Sequence, residues 1–163
     1  MALKKQGEIN MKILHKFGAM AAAAVLASAV PAQAQLEIYK DYDVSDAVWS
    51  ISTVKVDANM GDYYLEGLRS TWIASNEVMK KLGQIEDYSI YASDFPQSGE
   101  FNMLLIVKFA NTADLAPNKA KYDAFLKSWG ETKVAESRQI SKDLYPTIRS
   151  ITGDYLMRKV EVK

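Results

Sequence analysis

Five apolar residues in succession, Met103-Leu104-Leu105-Ile106-Val107, constrain this chain more than any other stretch. Neighbouring side chains of a strand point to opposite faces, so an unbroken apolar run predicts a strand covered on both sides. Met103, Leu105 and Val107 share one face, and Leu104 and Ile106 share the other. One set packs beneath helices. The other requires a second cover, and leaving it in water costs roughly 25 cal/mol per Å² of apolar surface.

The elements around this strand follow from spacing. Val48 to Val56 is rich in β-branched residues and predicts a first strand. Leu65, Leu68, Trp72, Met79 and Leu82 recur at helical spacing, with Ser75 in the gap, and predict a helix over Gly61 to Leu82. Asn59 and Asp62 have capping-box spacing at its start, and Gly83 stands where a left-handed cap belongs. Tyr88 to Ser93 reads as a second strand, and Phe101 to Ala110 as the third, containing the apolar run. Pro117 suits the first turn of a second helical region with breaks at Gly130 and Pro146. Gly153 is expected to close that region before a final strand, Tyr155 to Val162. The order β-α-β-β-α-β is the ferredoxin-like pattern, an α+β fold with a four-stranded antiparallel sheet.

The N-terminal region sets the expected location. Lys12 and Lys16, the apolar stretch Phe17 to Val30 and the ending Pro31-Ala32-Gln33-Ala34 have the parts of a cleaved secretory signal, with Met11 as the better start. Its apolar stretch is shorter than the roughly 20 residues of a membrane span. The expectation is a leader over 1–34, an N-terminal arm over 35–47 and one α+β domain over 48–163. The protein would then be periplasmic or secreted, with no stable membrane anchor after cleavage.

The leader carries four basic residues and one acidic one, so the 20 of each sign in the whole chain become 16 and 19. A slightly acidic domain argues against nucleic acid, whose phosphates favour clustered Lys and Arg. The chain has no cysteine, and its one histidine, His15, lies in the leader. The expectation is therefore no metal centre and no cofactor. The usual zinc and copper ligands, Ser-His and Cys-His pairs, and axial haem ligands are all missing from the mature part.

Three segments carry a resemblance. They are Val48-Trp49-Ser50-Ile51-Ser52-Thr53-Val54-Lys55-Val56, Tyr64-Leu65-Glu66-Gly67-Leu68-Arg69-Ser70-Thr71-Trp72, and Phe101-Asn102-Met103-Leu104-Leu105-Ile106-Val107-Lys108-Phe109. In layout and texture the chain resembles the dimeric α+β barrel superfamily. That resemblance implies two sheets paired face to face into a barrel, and a small molecule held between each sheet and its helices. The superfamily includes cofactor-independent monooxygenases, haem-degrading enzymes, small-ring isomerases and polyketide cyclases. The missing histidine separates this chain from the haem-dependent and histidine-dependent members, and no catalytic residue transfers to it.

Two functions fit. The first is a homodimer that binds a small apolar or aromatic molecule. The alternative is a cofactor-independent enzyme acting on an aromatic or polyketide-like substrate. Candidate ligand-binding residues are Trp49, at the start of a strand with two unlike faces, Tyr88 and Tyr91 on the second strand, and the strand polar residues Asn102 and Arg158. Aromatic residues with a polar tip can position a bound ring. A polar group among apolar neighbours needs a partner.

Overall fold

A computed structural model describes residues 35–95 and 98–163. The expected leader, with its start at Met11 and its cleavage site after Ala34, lies outside the described residues. The account below concerns Glu37–Lys163, which forms one compact unit.

The main sheet is built from β2 (Val48–Val56), β3 (Asp87–Ala92), β4 (Met103–Phe109) and β5 (Arg149–Met157). Its order is β3-β4-β2-β5, with every neighbouring pair antiparallel. This is the ferredoxin-like α+β fold, with its two central strands being the first and third of the motif. The first strand has the bounds expected of it.

Sheet register settles which half of the apolar run faces the helices. Val54 pairs with Met103 and Ser52 with Leu105. Val54, Val56, Met103 and Leu105 are buried together with Tyr64, Leu68, Tyr145 and Ile148 in one core. Leu104 and Ile106 therefore point to the opposite face, beside Thr53 and Ile51 on β2 and Tyr91 and Ser89 on β3. Trp49, Tyr155 and Met157 share that open face, where Tyr155 and Met157 are about half exposed.

The helix between the first two strands runs as α1 (Gly61–Leu68), a wider π turn over Arg69–Ile73, and α2 (Ala74–Lys81). An added residue in one turn shifts the phase of everything after it. Tyr64, Leu68, Thr71 and Asn76 are buried, whereas Leu65 and Leu82, expected on the apolar stripe, are exposed. One capping expectation is also corrected. Asn59 adopts a left-handed conformation (φ 65°) and gives no side-chain cap; Met60 precedes the helix instead. Gly83 has the positive φ expected of it.

The second helical layer comprises α3 (Lys119–Trp129), α4 (Glu131–Asp143) and the short α5 (Tyr145–Ile148). Asn118, rather than Pro117, marks the start of α3; its Oδ1 accepts a 3.0 Å hydrogen bond from the Lys121 N–H. Gly130, at φ 89°, separates α3 from α4.

The end of the domain departs most from expectation. The last sheet strand begins at Arg149, so Gly153 lies inside it and closes no helix. The register with β2 slips between Thr53 and Val54. Beside this irregularity the Tyr155 ring lies so close to Gly153 that an added Cβ would come within 2.8 Å of it. The chain then turns and forms β6 (Val160–Val162), which pairs antiparallel with β1 (Tyr42–Val44). The N-terminal arm thus ends in a two-stranded ribbon continuing from β2 and β5.

Gly67 lies where α1 packs against Leu144 and Tyr145. A methyl there would lie 2.9 Å from Tyr145 Cε1 and 3.3 Å from Leu144 Cδ2. Gly67→Ala sets a crowding cost of about 1–3 kcal/mol against a helix-propensity gain of about 1 kcal/mol. The expected result is a net loss of about 1 kcal/mol in a denaturant titration; a stabilised variant would show that α5 yields freely.

Candidate functional site

A cavity of about 320 Å³ opens between the helix-facing side of the sheet and the helices. The sheet supplies Ser52, Leu105, Arg149 and Ile151. The long helix supplies Tyr64, Leu68, Thr71, Trp72 and Ser75, and the second helical layer adds Ser137, Ser141 and Tyr145. The π turn spans Thr71 and Trp72, and so places one hydroxyl and one indole on the cavity wall together. Ser137 and Ser141 are four apart on α4, which puts both on one face of that helix.

Part of the cavity wall is a compact polar cluster. The Tyr64 and Tyr145 rings meet edge to face, with centroids 5.2 Å apart. The Arg149 guanidinium lies 5.1 Å from the Tyr145 centroid and 5.8 Å from that of Tyr64. The Thr71 hydroxyl donates to the Gly67 carbonyl at 2.8 Å and sits against the Tyr145 hydroxyl in a short hydrogen bond. Burial pushes both phenols above the ordinary tyrosine pKa, although Arg149 opposes the shift at each and the Thr71 contact opposes it at Tyr145. Both therefore remain neutral hydroxyls at physiological pH. Leu68, Trp72, Leu105 and Ile151 add apolar surface to the same wall.

The five residues singled out in the sequence go to different places. Trp49 lies on the open sheet face, with Lys108 Nζ 5.6 Å from its ring centroid. Tyr91 shares that face opposite Leu104. Tyr88 turns toward the helices and meets Trp72 edge to face at 5.5 Å. Its hydroxyl donates to Glu77 Oε1 at 2.5 Å, and that bond, aided by burial, pushes its pKa up to about 12. Asn102 accepts from the Val56 N–H (2.8 Å) and donates to the Val56 carbonyl (2.7 Å), stitching β4 to β2 like an extra ladder rung. Arg158 falls between β5 and β6 and donates to the carbonyls of Ser45 and Asp46 at 2.7 and 2.9 Å. None of the five is among the residues lining this cavity; Tyr88 meets its wall through Trp72, and Asn102 lines a separate open cleft of about 400 Å³ with Asp57, Asn59 and Met103.

The cavity residues left a faint signal in the sequence. Thr71 and Ser75 flank Trp72 on what is otherwise an apolar stripe, and small hydroxyls there mark a face that packing does not fill. Arg149 left no such mark, because the stretch before Gly153 reads as helix.

Among the described residues, no group of His, Cys, Asp and Glu is arranged to hold a metal ion. No described helix is long and apolar enough to cross a membrane.

No protein-family model and no curated protein matches the chain. Solved structures do. One is a NIPSNAP-family protein of unknown function from Agrobacterium tumefaciens, with a TM-score of 0.42 at 13% identity, covering 76% of this chain and 95% of that one. Another is HapK from Hahella chejuensis, with a TM-score of 0.41 at 10% identity over 69% of this chain and 91% of that one. A third, from Bacteroides fragilis, is described as a dimeric protein of unknown function with a ferredoxin-like fold. Its TM-score is 0.39 at 15% identity, over 74% of this chain and 100% of that one.

Proposed function

We propose that this is an exported, homodimeric protein that binds a small apolar or aromatic molecule in the cavity between its sheet and its helices. The observation that carries this reading is the cavity wall itself. An indole and aliphatic side chains share it with hydroxyls, two neutral phenols and a guanidinium. Ligand sites are commonly apolar clefts with a few convergent polar groups that fix orientation. Its lining groups are suited to orienting and hydrogen bonding a bound molecule.

Dimerisation answers the second requirement of the apolar run. Ile51, Leu104 and Ile106 occupy the middle of the open sheet face, and Trp49, Tyr155 and Met157 extend it. A second copy placed symmetrically on this face removes the same apolar surface from water on both protomers. Export rests on the leader composition, and the absence of cysteine leaves apolar burial as the source of stability.

Native mass spectrometry of protein purified from its own cell envelope tests the reading. The expected spectrum shows a chain beginning at Gln35 or close to it, in dimeric form, with an added small-molecule mass that collisional activation removes. A spectrum of bare protein, with loading restored by no aromatic compound, would count against the binding function. A soluble form that retains Met11 would count against export.

A further inference from the structure

We infer that the ligand of this cavity is a monoanion, a small carboxylate whose charged end meets Arg149 and whose apolar body lies against Trp72 and Leu105. This deepens the binding function proposed above and rests on it.

Arg149 is the first residue of β5 and pairs with Val56, which turns its side chain toward the helices. A guanidinium is charged at any ordinary pH and presents N–H donors around a planar fork. The two tyrosine rings lie near it, and ring faces attract a cation. Ring faces, however, do not replace acceptors in the guanidinium plane. Arg149 Nε is buried and has no hydrogen-bond partner among the described residues. Arg149 also takes part in none of the ion pairs found there. Leaving a buried donor unmade is costly, and more so for a charged group.

The charge of the wall agrees. Arg149 is its one formally charged lining residue, because Tyr64 and Tyr145 stay neutral and the rest are hydroxyl-bearing or apolar. Asp154 faces Ser52 across the β2–β5 ladder, but it is exposed and accepts the Ser52 hydroxyl at 2.5 Å. A bound carboxylate would supply two acceptor oxygens to the fork and neutralise the single positive charge. A phosphate monoester, with nearly two negative charges, would leave an excess that the wall does not match. The apolar lining residues Leu68, Trp72, Leu105 and Ile151 then account for the remainder of the ligand.

Calorimetric titration with 2-naphthoate and 2-naphthamide tests this, because the two probes share a ring system and differ in the charged group. The expected result for the wild-type protein is naphthoate binding at least about tenfold tighter than the amide, as for a charge-assisted hydrogen bond. Arg149→Gln is expected to bring that ratio to about one. Arg149→Lys, which keeps the charge and loses the fork, should retain part of the preference. Circular dichroism confirms that each variant is folded, and the wild-type ratio decides the matter even if a variant is not. Equal wild-type affinities would overturn the anion inference while leaving the cavity as a ligand site. Failure of both probes to bind would count against the cavity as an aromatic site and would remove this inference with it.

Discussion

Leu68→Ala is expected to lower the unfolding free energy by roughly 2–5 kcal/mol, the range for truncating a large aliphatic side chain in a packed core. Leu68 is 1% exposed and packs in the cluster with Val54, Tyr64, Met103 and Tyr145. The loss combines the transfer energy of the removed carbons with the cavity left among side chains from sheet and helix, which cannot all close in. Glu66→Ala is the internal control. Glu66 is exposed, and its 3.6 Å pairing with Arg69 joins two side chains that are each more than three-quarters in solvent. Such a pair contributes little, so the control should change stability by about 0.5 kcal/mol or less. Urea titrations of both variants make the comparison, and coincident midpoints would mean that the helix presents another face to the sheet.

Leu104→Lys is expected to convert the proposed dimer to monomer without unfolding it. Leu104 lies on a central strand, between Thr53 and Tyr91, so its side chain occupies the middle of the open face. In a monomer that face meets water, and a lysine there costs little. In a symmetric pair the same lysine would be buried twice, once per protomer, and each unpaired buried charge costs roughly 3–5 kcal/mol. Sedimentation equilibrium at micromolar concentration should show wild-type dimer and variant monomer, with unchanged far-ultraviolet circular dichroism. A wild-type monomer would refute the dimer. The N-terminal arm is a poor substitute cover, because Tyr42–Val44 is already committed to the ribbon with Val160–Val162.

Much of the architecture was legible because it rests on periodicity. The β-branched run Val48–Val56 and the apolar run in β4 define the two central strands, and their alternation predicts the two faces of the sheet. The misreadings share a cause: local signals gave way to tertiary packing. A 3.6-residue repeat does not anticipate the π turn, so Leu82, which follows it, was expected inside and is exposed, while Asn76 is buried. Gly153 resembles a helix terminator, yet its role is to admit the Tyr155 ring. Arg158 is a polar residue among apolar neighbours, as in a pocket, but its partners are backbone carbonyls distant in sequence. The cavity was harder still to anticipate. Tyr64, Thr71, Tyr145 and Arg149 come from the long helix, α5 and β5, and only the closed fold brings them together.

The ribbon of β1 and β6 has a consequence for connectivity. It ties the first strand of the domain to its last, with the Lys163 N–H donating to the Asp41 carbonyl at 2.9 Å and Lys163 Nζ 3.0 Å from the Asp43 carboxylate. With both ends of the unit side by side, its path is nearly a closed ring. A circular permutant that links Lys163 to Glu37 and opens at Gly130, between α3 and α4, would preserve every strand pairing of the sheet. In a chain without cysteine this ribbon is a non-covalent clasp, and which element comes first in the gene is then largely a matter of where the ring is cut.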